Sequence, residues 1–166
     1  MSPGASRAPV AWLHSHFLQW AGGTRFVYEV ARRVNRHRPL DMIVERCAPA
    51  VRAMYDAEGM HVIEIAPRSS TSMLYWALFP WYLHSEARRL RALAGGYSAF
   101  VSSMFPMNYL AATSGVGRHL TYVMEPFAFF HDEDMIAGFP PGRRMLLRLL
   151  ARAYRPLDAR GVRHAD

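Results

Sequence analysis

Short runs of β-branched and aromatic residues alternate along this chain with stretches whose apolar residues recur at helical spacing. No other feature constrains the fold as much. Val10 to His14 (VAWLH), Leu40 to Glu45 (LDMIVE), Met60 to Ala66 (MHVIEIA), Ala99 to Ser102 and His119 to Met124 (HLTYVM) read as five strands. After the first strand, Phe26, Val27, Val30, Ala31 and Val34 recur as on a helix, with Glu29, Arg32, Arg33 and Arg36 facing out. Glu29 and Arg33 have the spacing of an i,i+4 ion pair, and Pro39 stops the helix. Further helices are expected at Pro49 to Ala57, through the aromatic stretch and Ser85 to Ala94, and at Asn108 to Thr113. A last one is expected at Gly142 to Tyr154, with Met145, Leu146, Leu149, Leu150 and Ala153 on one side.

Strand and helix in strict alternation predict an α/β fold, a Rossmann-like parallel sheet with helices on both faces. Ligands of such sheets lie beyond the carboxyl ends of the strands. The loops worth reading therefore start at His14, Cys47, Pro67, Met104 and Glu125.

Composition narrows the function classes. The chain has 166 residues, 51% of them hydrophobic and 20% charged, which suits one domain with its own core. Its net charge is +7, and all twenty basic residues are arginine. No nucleic-acid-binding module is recognisable, so this basicity reads as surface charge, or as attraction to anionic lipid or a phosphorylated substrate. The single cysteine, Cys47, permits no intrachain disulfide and reads as a small buried hydrophobe. Residues 1–9 are small and polar, read as a flexible N-terminus without a signal peptide. The longest apolar stretches, Met73 to Leu83 and the region around Phe100 to Ala112, are too short to span a bilayer and are broken by Pro80 and Pro106. The expected location is the cytoplasm, with peripheral contact to the inner face of a membrane left open.

Within the selected loops, Gly22 and Gly23 precede a helix whose free N–H groups suit a phosphate, and Thr24 follows them. The pattern is not GxGxxG, and Glu45 is a poor ribose ligand, so a dinucleotide cofactor is not expected. His14 and His16 share one strand face, with one expected to line the ligand cleft and the other to make a structural hydrogen bond. A third ligand for a metal is not evident. Met104 lies in SSMFPMNYLAA after the fourth strand, where Asn108 either caps a helix or meets a hydroxyl. Glu125 follows the fifth strand beside Phe127, Phe129 and Phe130, where desolvation makes a carboxylate a usable base. His131-Asp132-Glu133-Asp134 contains D-x-D, which reads as a polar helix start and not as a metal site.

The phrases WAGGTRFVYEVARRVNRHRPLDMIV, AFVSSMFPMNYLA and LTYVMEPFAFFHD, in this order and spacing, resemble the N-terminal domain of family 4 glycosyltransferases over nearly the whole chain from Val10 onward. The resemblance implies a GT-B enzyme with two Rossmann-like domains facing across a cleft. It implies a hexosyltransferase-type activity that moves a sugar from a nucleotide-sugar substrate to a glycan or lipid-linked acceptor, with no metal and no cofactor. The acceptor belongs mostly to the N-terminal domain, whose cleft maps onto His14, His16, Met104 and Asn108. The donor diphosphate approaches a loop that maps onto Gly22, Gly23 and Thr24. The nucleotide sugar and a pair of glutamates belong to a C-terminal domain.

Many members carry a histidine just after the fifth strand. Here Glu125 stands in that place and His131 lies further on, so the catalytic assignment rests on Glu125, or on His131 or His16 in the cleft. A further strand and the whole donor domain are expected beyond RGVRHAD, which makes the chain a fragment or half-enzyme, inactive alone. The alternative is a non-catalytic acceptor- or membrane-docking subunit that pairs with a separate donor-binding chain. For that alternative, the aromatic run Met73 to Leu83 beside Arg88, Arg89 and Arg91 would meet a lipid-linked acceptor or a membrane surface, although such a run reads first as core packing.

Overall fold

The computed structural model describes residues 8–123 and 128–163. Strands β1 (Val10–Phe17), β2 (Leu40–Cys47), β3 (Val62–Glu64), β4 (Ala99–Ser102) and β5 (His119–Thr121) form one all-parallel sheet in the order β3-β2-β1-β4-β5. Helices α1 (Gly22–Asn35) and α2 (Pro49–Ala57) cover one face, where Trp12, Met42 and Val44 meet Val27, Ala31, Val51 and Tyr55. Helices α4 (Phe79–Ala94) and α5 (Met107–Thr113) cover the other, where Ala11, Leu13, Ile43 and Phe100 meet Leu90, Met107 and Leu110. The fold is therefore Rossmann-like α/β. Adjacent residues of β1 point to opposite faces and are buried on both, as a central parallel strand requires.

A third apolar cluster lies outside the two faces of the sheet. Here α3 (Met73–Ala77) and the start of α4 pack Tyr75, Trp76, Phe79 and Tyr82 against Phe105, Phe130 and the long helix α8 (Pro141–Arg163). Trp76 stacks on Phe105 (5.7 Å between centroids, 10° between planes), and the Tyr154 hydroxyl donates to the Trp76 carbonyl at 3.0 Å. Most of the aromatic run is thus core, although Leu74, Leu78 and Trp81 stay exposed. The short helices α6 (Ala128–His131) and α7 (Glu133–Ala137) precede α8. Asp132 caps α7 by accepting from the Met135 N–H at 2.9 Å, with Glu133 and Asp134 in the first turn, as the polar-start reading of this segment requires.

Several elements differ from the sequence expectation. β1 runs on to Phe17 and β2 to Cys47, because the two strands pair in register as far as those residues. β3 and β5, at the sheet edges, are only three residues long. Glu29 pairs with Arg32 at 2.8 Å instead of Arg33, an i,i+3 contact on the same helix face. Phe26 is not on the buried stripe of α1; it is exposed and stacks on Tyr122. The largest correction concerns α8, which extends to Arg163. Leu147, Ala151, Asp158 and Gly161 are its buried residues, whereas Met145, Leu146 and Leu149 face outward. The helix carries two apolar stripes, and periodicity alone does not choose between them.

The candidate functional site

In the order β3-β2-β1-β4-β5 the chain leaves β1 in one direction and resumes at β4 on its other side, so β1 and β4 flank the topological switch point. Crevices that take ligands open at the carboxyl ends of such strands. The structure has a cavity of about 370 Å³ there. Its floor is Ser103, Met104 and Phe105, immediately after β4. Asn108 of α5, Val123 after β5 and His131 of α6 form its sides, and α8 closes it with Asp158 and Val162. Two contacts hold the floor against β1: the Ser103 N–H donates to the Leu13 carbonyl at 3.1 Å, and the Ser15 hydroxyl points at the Met104 sulfur at 3.1 Å.

The polar centre is a chain of three side chains. Asn108 Nδ2 donates to Asp158 Oδ1 at 3.0 Å, and His131 Nε2 lies 2.9 Å from Asp158 Oδ2. A carboxylate only accepts, so the hydrogen in this contact lies on His131 Nε2. Asp158 is nearly buried, and both of its oxygens are engaged, which offsets the cost of burying it. Asn108 also accepts from the Tyr109 N–H at 2.7 Å. It does not cap α5, whose preceding residue is Pro106, so the capping reading gives way to a role in holding Asp158.

What brings Asp158 here is a glycine one turn on. A side-chain carbon at Gly161 would lie 2.6 Å from the Tyr109 nitrogen and 2.8 Å from its Cα. Only a residue without Cβ lets α8 lie this close to the backbone of α5. Arg155 then fastens the entry to α8 by donating from Nε to the Phe130 carbonyl and from an Nη to Glu133 at 2.8 Å.

Of the residues singled out in the sequence, Met104, Asn108 and His131 meet in this cavity. His14 and His16 do not line it. His14 is buried and stacks on Phe17 at 5.0 Å, with no hydrogen-bond partner for Nδ1; burial and the neighbouring His16 push its pKa down to about 3, so it is neutral. Burial also lowers the pKa of His16. Gly22 and Gly23 form the exposed first turn of α1, with open space where a Cβ would stand, and Thr24 is buried behind them. Its N-cap residue, Ala21, makes no side-chain cap, so among the described residues the N–H groups of this turn are open to an anion. Glu125 lies outside the described residues. Glu45 is fully buried, accepts from the Ser70 N–H at 2.6 Å and has no access to a ligand. Cys47 is buried and its thiol is pushed up to about 11 by desolvation, which disfavours the thiolate.

Asp158 was not singled out in the sequence, although a signal exists. It is the only acid in the 23 residues of α8, and it falls seven residues after Ala151 and eleven after Leu147, on the buried stripe. A second buried polar group joins Glu45 with Glu86 and Tyr75, two residues that the sequence did not single out. The Tyr75 hydroxyl donates to Glu86 at 3.2 Å, and desolvation raises Glu86 to about 8 and Glu45 well above the carboxylate range. This group ties the 67–72 loop to α3 and α4.

Among the described residues, no helix is long and apolar enough to cross a membrane. In comparisons with known proteins, no family model, no curated protein and no solved structure matches the chain.

Proposed function

We propose that this domain is the acceptor-side half of a GT-B glycosyltransferase and that the cavity between β4, α5, α6 and α8 holds the acceptor. The observation that carries the reading is the imidazole of His131, fixed by a buried carboxylate at the rim of an apolar-walled crevice at the switch point. Asn108 positions Asp158, and Asp158 positions His131. In its neutral form the imidazole of His131 uses Nδ1 to accept a hydrogen bond from an acceptor hydroxyl and to aim its oxygen. Met104, Phe105, Val123 and Val162 offer apolar surface for the face of a sugar ring or an apolar aglycone, and Arg163 stands at the rim. The free N–H groups at Gly22, Gly23 and Thr24 suit the diphosphate of a nucleotide-sugar donor. The rest of the donor belongs, on the family resemblance, to a second domain.

The test is calorimetric titration of the chain with short alkyl glycosides and, separately, with nucleotide sugars. The reading predicts weak, saturable glycoside binding that His131→Ala reduces, and no tight binding of the nucleotide sugar to this chain alone. Tight donor binding by the chain alone, or glycoside binding indifferent to His131→Ala, refutes it.

A further inference from the structure

The outward side of α8 is built like a surface-seeking helix. Met145, Leu149 and Ala153 form a row at i, i+4, i+8, with Leu146 beside it. Met145 is 65%, Leu149 59% and Leu146 44% exposed, on a helix whose opposite side already fills the aromatic core. A second row, Arg144, Arg148 and Arg152, runs parallel to the first at the same spacing, and a shallow groove joins the two rows along Pro141, Met145 and Leu149.

The charge of this face is one-sided. Between Met135 and Leu157 there are five arginines and no acid. The nearest carboxylate, Glu133, pairs with Arg155 and only loosely with Arg148, at 3.7 Å. Arg144 donates to the Phe139 carbonyl at 3.1 Å, which holds its guanidinium beside the helix, and Arg152 has no carboxylate partner among the described residues.

We infer that this face of α8 docks on an anionic lipid surface. Apolar residues on one row enter the headgroup–acyl boundary, while the adjacent arginine row meets lipid phosphates with its stems lying along the apolar surface. Charge complementarity selects this occupant. A second copy of the chain would bring two arginine rows face to face, and a neutral apolar partner would leave them unpaired. The helix lies in the plane of the surface, and Asp158, on the side away from Met145 and Leu149, keeps the cavity within about one helix diameter, ~10 Å, of the lipid. This places the membrane contact on α8 and not on the aromatic run Met73 to Leu83, whose larger rings are mostly core. The inference stands apart from sugar transfer, because lipid binding is read without any sugar.

The test is co-sedimentation of the whole 166-residue chain with vesicles of phosphatidylcholine, with and without about 30% phosphatidylglycerol. The expected result is partition onto the anionic vesicles only, weakened by salt. Each arginine near such a surface is worth about a fivefold change in partition, so Arg148→Gln with Arg152→Gln lowers it roughly 25-fold. Met145→Ser with Leu149→Ser lowers it tenfold or more, on the order expected for losing two inserted apolar side chains. All four positions are exposed, and circular dichroism checks that the variants fold. Trp81→Ser binds like the parent chain. The inference is overturned by absence of binding to anionic vesicles, by equal binding to neutral ones, or by variants that bind unchanged. Loss of binding in Trp81→Ser alone overturns it, as does self-association in lipid-free solution that Met145→Ser with Leu149→Ser abolishes.

Discussion

Gly161→Ala decides whether the contact of α8 with α5 is as close as it must be to place Asp158. In an open helix this substitution stabilises by up to ~1 kcal/mol, because alanine has the better helix propensity. Here the new Cβ would stand 2.6 Å from the Tyr109 nitrogen, 2.8 Å from its Cα and 3.0 Å from the Asn108 carbonyl carbon. Comfortable carbon contacts are ~3.5–4.0 Å, so the two helices must part by roughly 1 Å. All three obstructing atoms are backbone and cannot swing aside. Inserting a carbon into a packed contact costs ~1–3 kcal/mol, which exceeds the propensity gain and leaves the variant about 1–2 kcal/mol less stable. Urea unfolding followed by circular dichroism measures the difference. Gly142→Ala in the first turn of the same helix meets nothing within 4 Å and serves as the comparison, expected to be neutral or slightly stabilising. If Gly161→Ala matches or exceeds the stability of the parent chain, the close helix contact is wrong, and with it the placement of Asp158.

Three other outcomes follow from named contacts. Asp158→Ala leaves Asn108 Nδ2 and His131 Nε2 without their shared acceptor and destabilises by about 1–3 kcal/mol in urea, more than Asp132→Ala at the exposed cap of α7. Trp76→Ala empties the centre of the aromatic cluster and costs about 3–5 kcal/mol, read in the same assay. Burial holds Glu86 at about 8 against an ordinary value of 4.5, so the folded chain keeps a proton that the unfolded chain releases. That contribution is complete below about pH 4.5 and is lost as pH rises through about 8; Glu86→Gln is therefore expected to gain stability over the parent chain as pH is raised across this window, by thermal melts at several pH values. An unchanged difference across the window contradicts the buried, protonated carboxyl.

Much of the fold was legible because its signals are local. β4 and α2 fall where β-branched runs, Pro49 and helical spacing put them. Strand ends were less legible, since β1 continues through the polar His14-Ser15-His16 only because β2 pairs alongside it. α8 shows the limit most clearly. Its Met145–Leu149 stripe and its Leu147–Ala151 stripe are equally apolar in one dimension, and only the position of Trp76, Phe105 and Phe130 in space selects the second as core. The site followed the same division. Met104, Asn108 and His131 were reached through the rule that loops after parallel strands carry ligands. Asp158 was missed because it comes from a helix packed against those loops from far along the chain, through a glycine whose role depends on a contact about fifty residues away.

The most direct test of the central claim is methyl-resolved NMR of the chain titrated with a short alkyl glycoside. The account predicts that the Met104 and Val162 methyl signals shift together and saturably, and that Asp158→Asn, which removes the carboxylate holding His131, weakens the response. Saturable shifts confined to other methyl groups, with Met104 and Val162 unmoved, would contradict it.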